Sequence, residues 1–217
     1  HDLARRQRQM CIRDRDINNG IAHLKTSDPL LEKVIDEYPV PTLKTAKDLF
    51  ESLIKYIVYQ QLSTSSAAAI YGRLEKYFSS SRMTPKYVSL SSSVELKSLG
   101  LSKQKIGYIF SLSDAWPKLK NKLRNIDKLS DDQIGNELMQ LKGVGPWTVD
   151  MFLIFSLGRP DVLPVGDLVV QKGYAKLYNM NRLPTKSEMI NGAEKWRPYR
   201  TLASLYLWDI IDGPFEW

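Results

Sequence analysis

Apolar residues recur at helical spacing along most of the chain, and no segment carries a strong strand pattern. The clearest helix begins at Ser130, because a serine followed three residues later by Gln133 forms a capping box. An almost wholly apolar run follows over 149–154. The apolar face between these points is marked at helical spacing by Ile134, Leu138 and Leu141. The pattern therefore predicts two consecutive helices, the second of them buried.

The connection between these two helices reads LKGVGPW over 141–147. Gly143 and Gly145 allow a tight turn with positive φ, and Pro146 suits the first position of a new helix. The backbone N–H groups of such a turn and of the helix N-terminus converge on one point, which attracts a phosphate. A short glycine pattern is also common in plain interhelical turns, so this motif alone does not decide between the two.

The rest of the chain predicts an all-α protein of about nine or ten helices joined by short loops. One long helix is expected from about Ala46 to Gln60, and Trp116-Pro117 is expected to break the helix that contains Tyr108. Gly158 suits the end of the apolar helix after the glycine turn. Polar caps and prolines predict further helix starts at Ser27-Asp28-Pro29, Ser63-Thr64, Thr84-Pro85, Leu101-Ser102, Pro184-Thr185 and Pro198.

Composition indicates the charge of a binding partner and excludes disulfide frameworks and two kinds of metal site. Among 217 residues, 31 lysines and arginines against 24 acidic residues give a net charge of +7, which suits an anionic partner or simply a soluble basic surface. Cys11 is the one cysteine, so neither a disulfide framework nor a cysteine-based metal cluster can form within the chain. His1 and His23 are the only histidines, which excludes a histidine-rich metal site.

The ends of the chain and its hydropathy predict an intracellular protein. No apolar run approaches the ~20 residues that span a membrane, and the first residues lack the apolar core of a secretory signal. Residues 1–16 are charged and weakly periodic, which predicts a disordered or non-native extension, with a basic DNA-contacting arm as the alternative. Residues 17–217 are predicted to form the helical domain, with the hairpin region at 130–158. The expected compartment is the nucleus in a eukaryote and the cytoplasm in a prokaryote.

Three motifs together resemble those of the helix-hairpin-helix DNA glycosylases, and among them the alkylpurine (3-methyladenine) type. They are LKGVGPW at 141–147, FSLGRPDVLPVGD at 155–167 and WRPYRTLASLYLW at 196–208. Each motif is weak alone, but their joint occurrence is highly specific, and the resemblance covers about residues 18–211. It implies a helix-hairpin-helix glycosylase fold in two lobes with the active-site cleft between them.

The resemblance implies that Asp167 is the catalytic carboxylate. Its position at the start of a predicted helix would otherwise favour a simple N-cap, and the two roles are compatible. Gly166 stands where many relatives have a second acidic residue, and Asp161 is interpreted as a turn residue after Pro160. An ionised carboxylate stabilises the positive charge that develops on the sugar when an N-glycosidic bond breaks. An alkylated purine is already cationic, so it leaves without a strong general acid.

The resemblance also implies a base pocket. Trp208 matches an aromatic residue that faces the flipped base, where an electron-rich ring favours a cationic base. Trp147 stands where relatives that also cut the backbone have a lysine, and tryptophan cannot form their Schiff base. Met151 takes a position where some relatives have a pocket tyrosine. Core packing is the alternative for each aromatic residue.

Further residues match positions that contact DNA. Leu62 and Ser63 match the loop that enters the minor groove, where Leu62 would fill the gap left by the extracted base. The alternatives are a helix-terminal core residue for Leu62 and an N-cap for Ser63. Phosphate contacts are implied for the hairpin and, more weakly, for the next helix, where relatives often have an arginine in place of Gln171. These candidates are Gly143, Val144, Gly145, Gln171 and Lys172.

The resemblance implies no required cofactor, but a monovalent cation, Na⁺ or K⁺, could bind the hairpin carbonyls of Met139, Leu141 and Val144. The sequence is therefore interpreted as a monomeric, monofunctional glycosylase that removes alkylated purines such as 3-methyladenine and 7-methylguanine from duplex DNA. A pure DNA-binding module and a glycosylase for other damaged or mismatched bases are the alternatives. Asp167 together with Trp208 argues against the first, and Trp147 with the lack of a cysteine cluster argues against the second.

Overall fold

The computed structural model describes residues 14–43, 45–79 and 82–213. Within these residues all regular structure is helical, which confirms the predicted all-α class. The extension predicted over 1–16 lies mostly outside the described residues, and residues 14–16 belong to the first helix. Among the residues described, no helix has both the length and the apolar character needed to cross a bilayer.

Twelve α-helices are found in the described part of the chain. They are α1 (Asp14–Ser27), α2 (Pro29–Glu37), α3 (Leu49–Tyr59), α4 (Thr64–Tyr77), α5 (Pro85–Ser89), α6 (Ser93–Ser98), α7 (Lys103–Lys122), α8 (Asp131–Leu138), α9 (Pro146–Met151), α10 (Leu168–Leu177), α11 (Lys186–Gly192) and α12 (Arg200–Asp212). Short 3₁₀ helices occur at Ile126–Lys128 and Glu194–Trp196, and a π-helical segment at Phe152–Ser156. The excess over nine or ten comes from short helices such as α6, which begins after an N-cap serine in a serine-rich stretch.

The chain divides into two compact units. The terminal unit combines the described residues up to Thr45 with those from Leu153 onward, and so contains α1, α2, α10, α11 and α12. The central unit is Ala46–Phe152 and contains α3 to α9. The helical domain predicted over 17–217 is therefore built from two units, one of which is made from both ends of the chain.

Helix α12 is the core of the terminal unit. All its residues from Thr201 to Ile210 are buried, as expected for a helix that is apolar on nearly every side. Helix α10 approaches it closely at Gly173, where an added Cβ would lie 2.2 Å from the backbone oxygen of Leu207. This glycine is needed for the approach, and the approach sets the position of α10 against α12.

A buried carboxylate ties the first helices of the terminal unit to its last ones. Asp28, only 1% exposed, caps α2 with one oxygen and accepts hydrogen bonds on the other from Trp196 Nε1 (2.9 Å) and the Tyr178 hydroxyl (2.5 Å). Lys195 Nζ lies 3.0 Å from the same oxygen. Burial alone would raise the pKa of Asp28, but these donors outweigh it and lower that pKa. The predicted helix cap is confirmed and also anchors the fold.

The central unit is packed around α3, whose Leu53, Ile54 and Ile57 are fully buried. This helix begins at Leu49 rather than at Ala46, because the Asp48 side chain caps the N–H groups of its first turn. Its end at Tyr59 agrees with the prediction. The sequence pattern places the start too early because the residues over 46–48 are also compatible with a helix.

Helix α7 contradicts the prediction that Trp116-Pro117 ends it. The helix runs over Lys103–Lys122 with Pro117 inside it. A proline costs an interior helix a hydrogen bond and a clash. Here Leu112 and Leu119, seven positions apart, are both buried on the two sides of the proline, so packing of this face stabilises the continued helix.

The hairpin region has the predicted beginning but a different second helix. Ser130 and Gln133 make both hydrogen bonds of the capping box that starts α8. The predicted apolar helix is instead α9 followed by the π-helical segment, and Gly158, at φ +64°, ends it. After the glycines the chain is therefore α-helical only over Pro146–Met151, and the wider π-helical geometry follows.

Candidate functional site

Asp167 is buried at the N-terminus of α10 in the terminal unit. Its side chain is the N-cap: Oδ1 accepts hydrogen bonds from the N–H groups of Val169 and Val170, both at 2.9 Å. The same oxygen accepts a third bond from Trp208 Nε1 at 3.1 Å. Only 8% of the residue is exposed. Three donors on one oxygen fix the orientation of the carboxylate, so the cap and the proposed catalytic role are compatible in geometry.

Trp208 lies beside Asp167 and donates a hydrogen bond to it. The residue is 2% exposed, and its ring centroid is 5.7 Å from that of Phe155. Its indole N–H donates this hydrogen bond to Asp167. The structure therefore places Trp208 as an orienting partner of the carboxylate, while its contact with a flipped base stays a prediction.

Asp161 anchors the loop that carries Asp167, and it is more than the turn residue predicted. Its carboxylate accepts hydrogen bonds from Arg200 Nε at 2.7 Å and from Arg197 Nη1 at 2.5 Å. Arg200 also donates to the Asp161 carbonyl at 2.8 Å, and its side chain is only 13% exposed. Arg200 is therefore held by the protein rather than directed to solvent. No spacing rule links residues that are 36 and 39 positions apart, so this pair of bonds could not be predicted from the sequence.

Thr201, the second residue of α12, satisfies the backbone of the same loop. Its hydroxyl donates to the Arg159 carbonyl at 2.6 Å and accepts from the Val162 N–H at 2.9 Å. Its own N–H donates to the Pro160 carbonyl at 3.0 Å. The loop is thus fixed to the start of the helix that also carries Trp208.

Some basic and polar side chains of α10 hydrogen-bond to the protein, and others are exposed to solvent. Gln171 Nε2 donates to the Val165 carbonyl at 2.8 Å, so it supports the Asp167 loop from the other side. Lys176 donates to the Ile210 carbonyl at 3.0 Å. Lys172 is exposed. Of the two phosphate candidates on this helix, Lys172 is the one whose side chain is directed to solvent.

In the hairpin of the central unit, only Gly143 requires glycine. Its φ is +87°, and an added Cβ would lie 2.2 Å from the Tyr108 ring. Gly145 has an extended backbone, with φ −118° and ψ −179°, and an added Cβ would meet nothing within 4 Å. The expected turn with positive φ is therefore formed by Gly143 and not by Gly145. Val144 is buried, and its N–H donates to the Leu141 carbonyl at 3.2 Å.

The loop between α3 and α4 presents Leu62 to solvent. Leu62 is 41% exposed, so it is not the helix-terminal core residue that composition alone would suggest. The preceding Gln61 has φ +55°, a left-handed conformation that is uncommon outside glycine. Ser63 is exposed and caps α4, accepting the Ser66 N–H at 3.3 Å. The left-handed residue was not foreseen, because no glycine marks it.

Trp147 and Met151 lie on the short helix α9. Trp147 is half-buried, whereas Met151 is fully buried. Met151 therefore serves the packing of the central unit, and the predicted pocket role of both residues stays a prediction.

The hairpin carbonyls offer the oxygen ligands that a hard cation prefers. Met139 is the C-cap of α8, where free backbone carbonyls and the negative end of the helix dipole favour a positive charge. The Leu141 carbonyl accepts one hydrogen bond from Val144 and retains a second lone pair. In the described residues, no three or more His, Cys, Asp or Glu side chains lie together where they could hold a metal ion.

Residues 54–198 match the family described as HhH-GPD superfamily base excision DNA repair protein. DNA-3-methyladenine glycosylase 1 of Schizosaccharomyces pombe is 33% identical over 180 residues, which cover 82% of this chain and 79% of the relative.

Two solved structures are similar throughout. A 3-methyladenine DNA glycosylase from the same yeast, in complex with abasic DNA, superposes with a TM-score of 0.79 at 32% identity, covering 88% of this chain and 95% of that one. A DNA-3-methyladenine glycosidase from Bacillus halodurans gives a TM-score of 0.74 at 34% identity, covering 88% of both chains. With the sequence motifs and the helical fold, these matches show that the chain belongs to the HhH-GPD superfamily of base excision DNA repair proteins.

Proposed function

We propose that the protein is a monofunctional DNA glycosylase that flips alkylated purines out of duplex DNA and hydrolyses their N-glycosidic bonds. The observation that carries the proposal is Asp167, a buried carboxylate oriented by Trp208 and by the N-terminus of α10. Bases of the 3-methyladenine and 7-methylguanine type are the proposed substrates, which the names of the similar proteins support. A non-catalytic DNA-binding module would have no use for this arrangement.

The Asp167 carboxylate stabilises positive charge on the sugar as the bond between C1′ and the base nitrogen breaks. The electron pair of that bond goes to the alkylated purine, which was cationic and leaves neutral. Water adds its oxygen to C1′, and its proton passes to the carboxylate and then to solvent. The products are the free base and an abasic site. Because the leaving base is already charged, no general acid is needed.

We further propose that the enzyme lacks lyase activity. Trp147 occupies the position where bifunctional relatives have the lysine that forms a Schiff base with the sugar, and an indole cannot form one. The abasic strand would therefore stay intact after base release.

The proposed grip on DNA uses backbone groups of the hairpin Gly143-Val144-Gly145 for a phosphate, with Lys172 as an additional phosphate contact. Leu62 is the proposed wedge, and its exposure supports that role. A Na⁺ or K⁺ ion held by the carbonyls of Met139, Leu141 and Val144 would add positive charge beside that phosphate. We propose that the enzyme acts as a monomer inside the cell, in the nucleus if the source is a eukaryote.

Incubation of methylated duplex DNA with the protein, followed by chromatography of the released bases, tests this function. We expect free 3-methyladenine and 7-methylguanine, with the DNA strand uncut until alkali is added. Borohydride should trap no covalent adduct between protein and DNA. Release of no base from the methylated DNA would overturn the proposal.

A further inference from the structure

The end of α3, just before the Leu62 loop, is held by a lysine from α7. Lys105 Nζ donates to the carbonyls of Val58 at 2.7 Å and Gln60 at 2.9 Å. The last carbonyls of a helix lack partners within the helix and carry the negative end of its dipole, so a cation here satisfies both. Lys105 is half-buried, and this burial lowers the pKa of its ammonium group.

The side chain of Gln60 reaches from this point to the hairpin. Its Nε2 donates to the Gly143 carbonyl at 2.8 Å and to Thr148 Oγ1 at 2.8 Å. Gly143 is in the turn and Thr148 is in α9, so one amide group bridges the two sides of Gly145. Both bonds are donated by the same nitrogen, which uses both of its hydrogens.

Tyr108, one turn after Lys105 on α7, supports the hairpin from the other side. Its ring lies where a Cβ on Gly143 would be, within 2.2 Å of the ideal position. Gln104, also on α7, donates to the Tyr108 hydroxyl. A single face of α7 therefore contacts the end of α3 through Lys105 and the hairpin through Tyr108.

We infer that Gln60, Lys105 and Tyr108, here called the clasp, are positioning residues that fix the Leu62 loop relative to the phosphate-binding hairpin. The inference rests on the proposed function, because it assigns a role to two DNA-contacting segments of the same unit. The Leu62 loop begins at the residue after Gln60, and no glycine loosens the connection. A wedge stabilises an extruded base only if it does not recoil from the stack. Holding the wedge against the element that grips the backbone prevents that recoil.

The contribution of the clasp should depend on how stably the damaged base is paired. A base in a stable pair costs more to extrude than a base in a mispair, so it depends more on a wedge held in place. Loss of the clasp should therefore slow excision from stable pairs selectively. The affinity for undamaged duplex should change little, because Gly143, Val144 and Gly145 keep their own backbone conformations.

The test compares Gln60→Leu and Lys105→Met with Lys103→Met. Lys103 is exposed two positions earlier on the same helix, so its substitution removes the same charge without touching the clasp. The same alkylated purine is placed opposite its normal partner and opposite a mismatched base, and single-turnover excision is measured on both. We expect both clasp variants to lower the ratio of paired to mispaired excision about tenfold, since extrusion is the step they weaken. Lys103→Met should leave that ratio unchanged.

Lys105→Arg should restore the ratio, because a guanidinium can donate to the same two carbonyls. The fluorescence of 2-aminopurine beside the lesion reports unstacking without chemistry and should fall in the clasp variants only. All measurements are made below the melting temperature of each variant, so a destabilised variant is still tested as folded protein. An unchanged ratio in folded Gln60→Leu and Lys105→Met would overturn the inference. Failure of the wild type to release base from the mispaired substrate would instead overturn the proposed function.

Discussion

The Asp167 site in the terminal unit and the proposed DNA-binding region of the central unit, made of the hairpin and the Leu62 loop, are built in opposite ways. Asp167 and Trp208 are buried, and side chains from distant parts of the sequence hold the loop that carries the carboxylate. Leu62 is exposed, and the hairpin depends on the backbone conformation of one glycine. Chemistry at a sugar needs a charge held in a fixed, dry place, whereas DNA binding needs groups that project outward. Mutations in the first region should therefore reduce base excision, and mutations in the second should reduce DNA affinity, each without the other.

The largest expected effect is that of Asp167→Asn on base release. Asparagine is a good N-cap, so α10 should remain intact, and only the charge is lost. We expect the single-turnover excision rate to fall by about two to three orders of magnitude, as for other electrostatic catalysts. Circular dichroism serves as the folding control. An excision rate near that of the wild type would mean that Asp167 is only a helix cap.

In the hairpin, Gly143→Ala should be far more damaging than Gly145→Ala. Alanine at 143 must adopt φ near +87° and would clash with the Tyr108 ring, whereas alanine at 145 has an ordinary backbone and open space. We expect Gly143→Ala to weaken binding to any duplex about tenfold or more, since phosphate contacts carry no sequence information. Titration of undamaged duplex by fluorescence anisotropy measures this. Equal affinities for the two variants would show that the strained glycine does not shape the phosphate site.

In the terminal unit, Arg200→Gln should lower the stability of the fold more than Arg197→Gln does. Arg200 is mostly buried and makes bonds to both the side chain and the carbonyl of Asp161, whereas the Arg197 side chain is 46% exposed. Removing one partner of a largely buried ion pair leaves the other uncompensated, so we expect Arg200→Gln to lower the stability by about 2 kcal/mol or more. The exposed Arg197 should contribute less than about 1 kcal/mol. Thermal melting and excision rates should fall together for Arg200→Gln, with duplex affinity retained. A loss of affinity with full excision activity would assign Arg200 to the DNA contact instead.

The last prediction concerns stability alone, at Asp209, the residue after Trp208. Burial raises the pKa of this carboxyl from its ordinary value of 3.8 to about 6. The folded protein then binds that proton more tightly than the unfolded chain, so the contribution to stability is greatest below pH 4 and is lost as pH rises toward 6. At pH 7.5 the Asp209→Asn variant should be more stable than the wild type, by at most about 3 kcal/mol. At pH 4 most of the difference should be gone, and it should vanish only below the ordinary pKa of 3.8.

Melting temperatures across pH 4–8 test this, with the exposed Asp212→Asn on the same helix as the charge-matched control. A pH-independent difference for Asp209→Asn would mean that the effect does not come from titration.

The sequence predicted those features that depend on neighbouring residues. The capping box at Ser130, the N-cap role of Asp167 and the end of the apolar segment at Gly158 all follow from local rules, and all are present. The joint motifs also predicted the family. Local rules failed at Pro117, where packing of leucines on both sides of the proline outweighs its cost.

What the sequence could not predict are bonds between residues far apart along the chain. Gln60 and Gly143 are 83 positions apart, and Asp161 and Arg200 are 39 apart. Each of these polar residues is ordinary in its local context, so its role appears only when the fold brings the partners together. The same holds for Gly145, whose backbone could not be distinguished from that of Gly143 by residue type.

The separation of the two regions is tested most directly by measuring single-turnover excision and duplex affinity in parallel for Asp167→Asn and Gly143→Ala. Excision is measured at protein concentrations well above each dissociation constant, so that weaker binding does not limit the rate. We expect Asp167→Asn to lose excision while binding abasic and undamaged duplex like the wild type. Gly143→Ala should lose affinity and, on a mispaired substrate that depends little on the clasp, retain most of the excision rate once the DNA is saturated. If both variants lose both properties in proportion, catalysis and DNA binding are not separable in this protein, and the account is wrong.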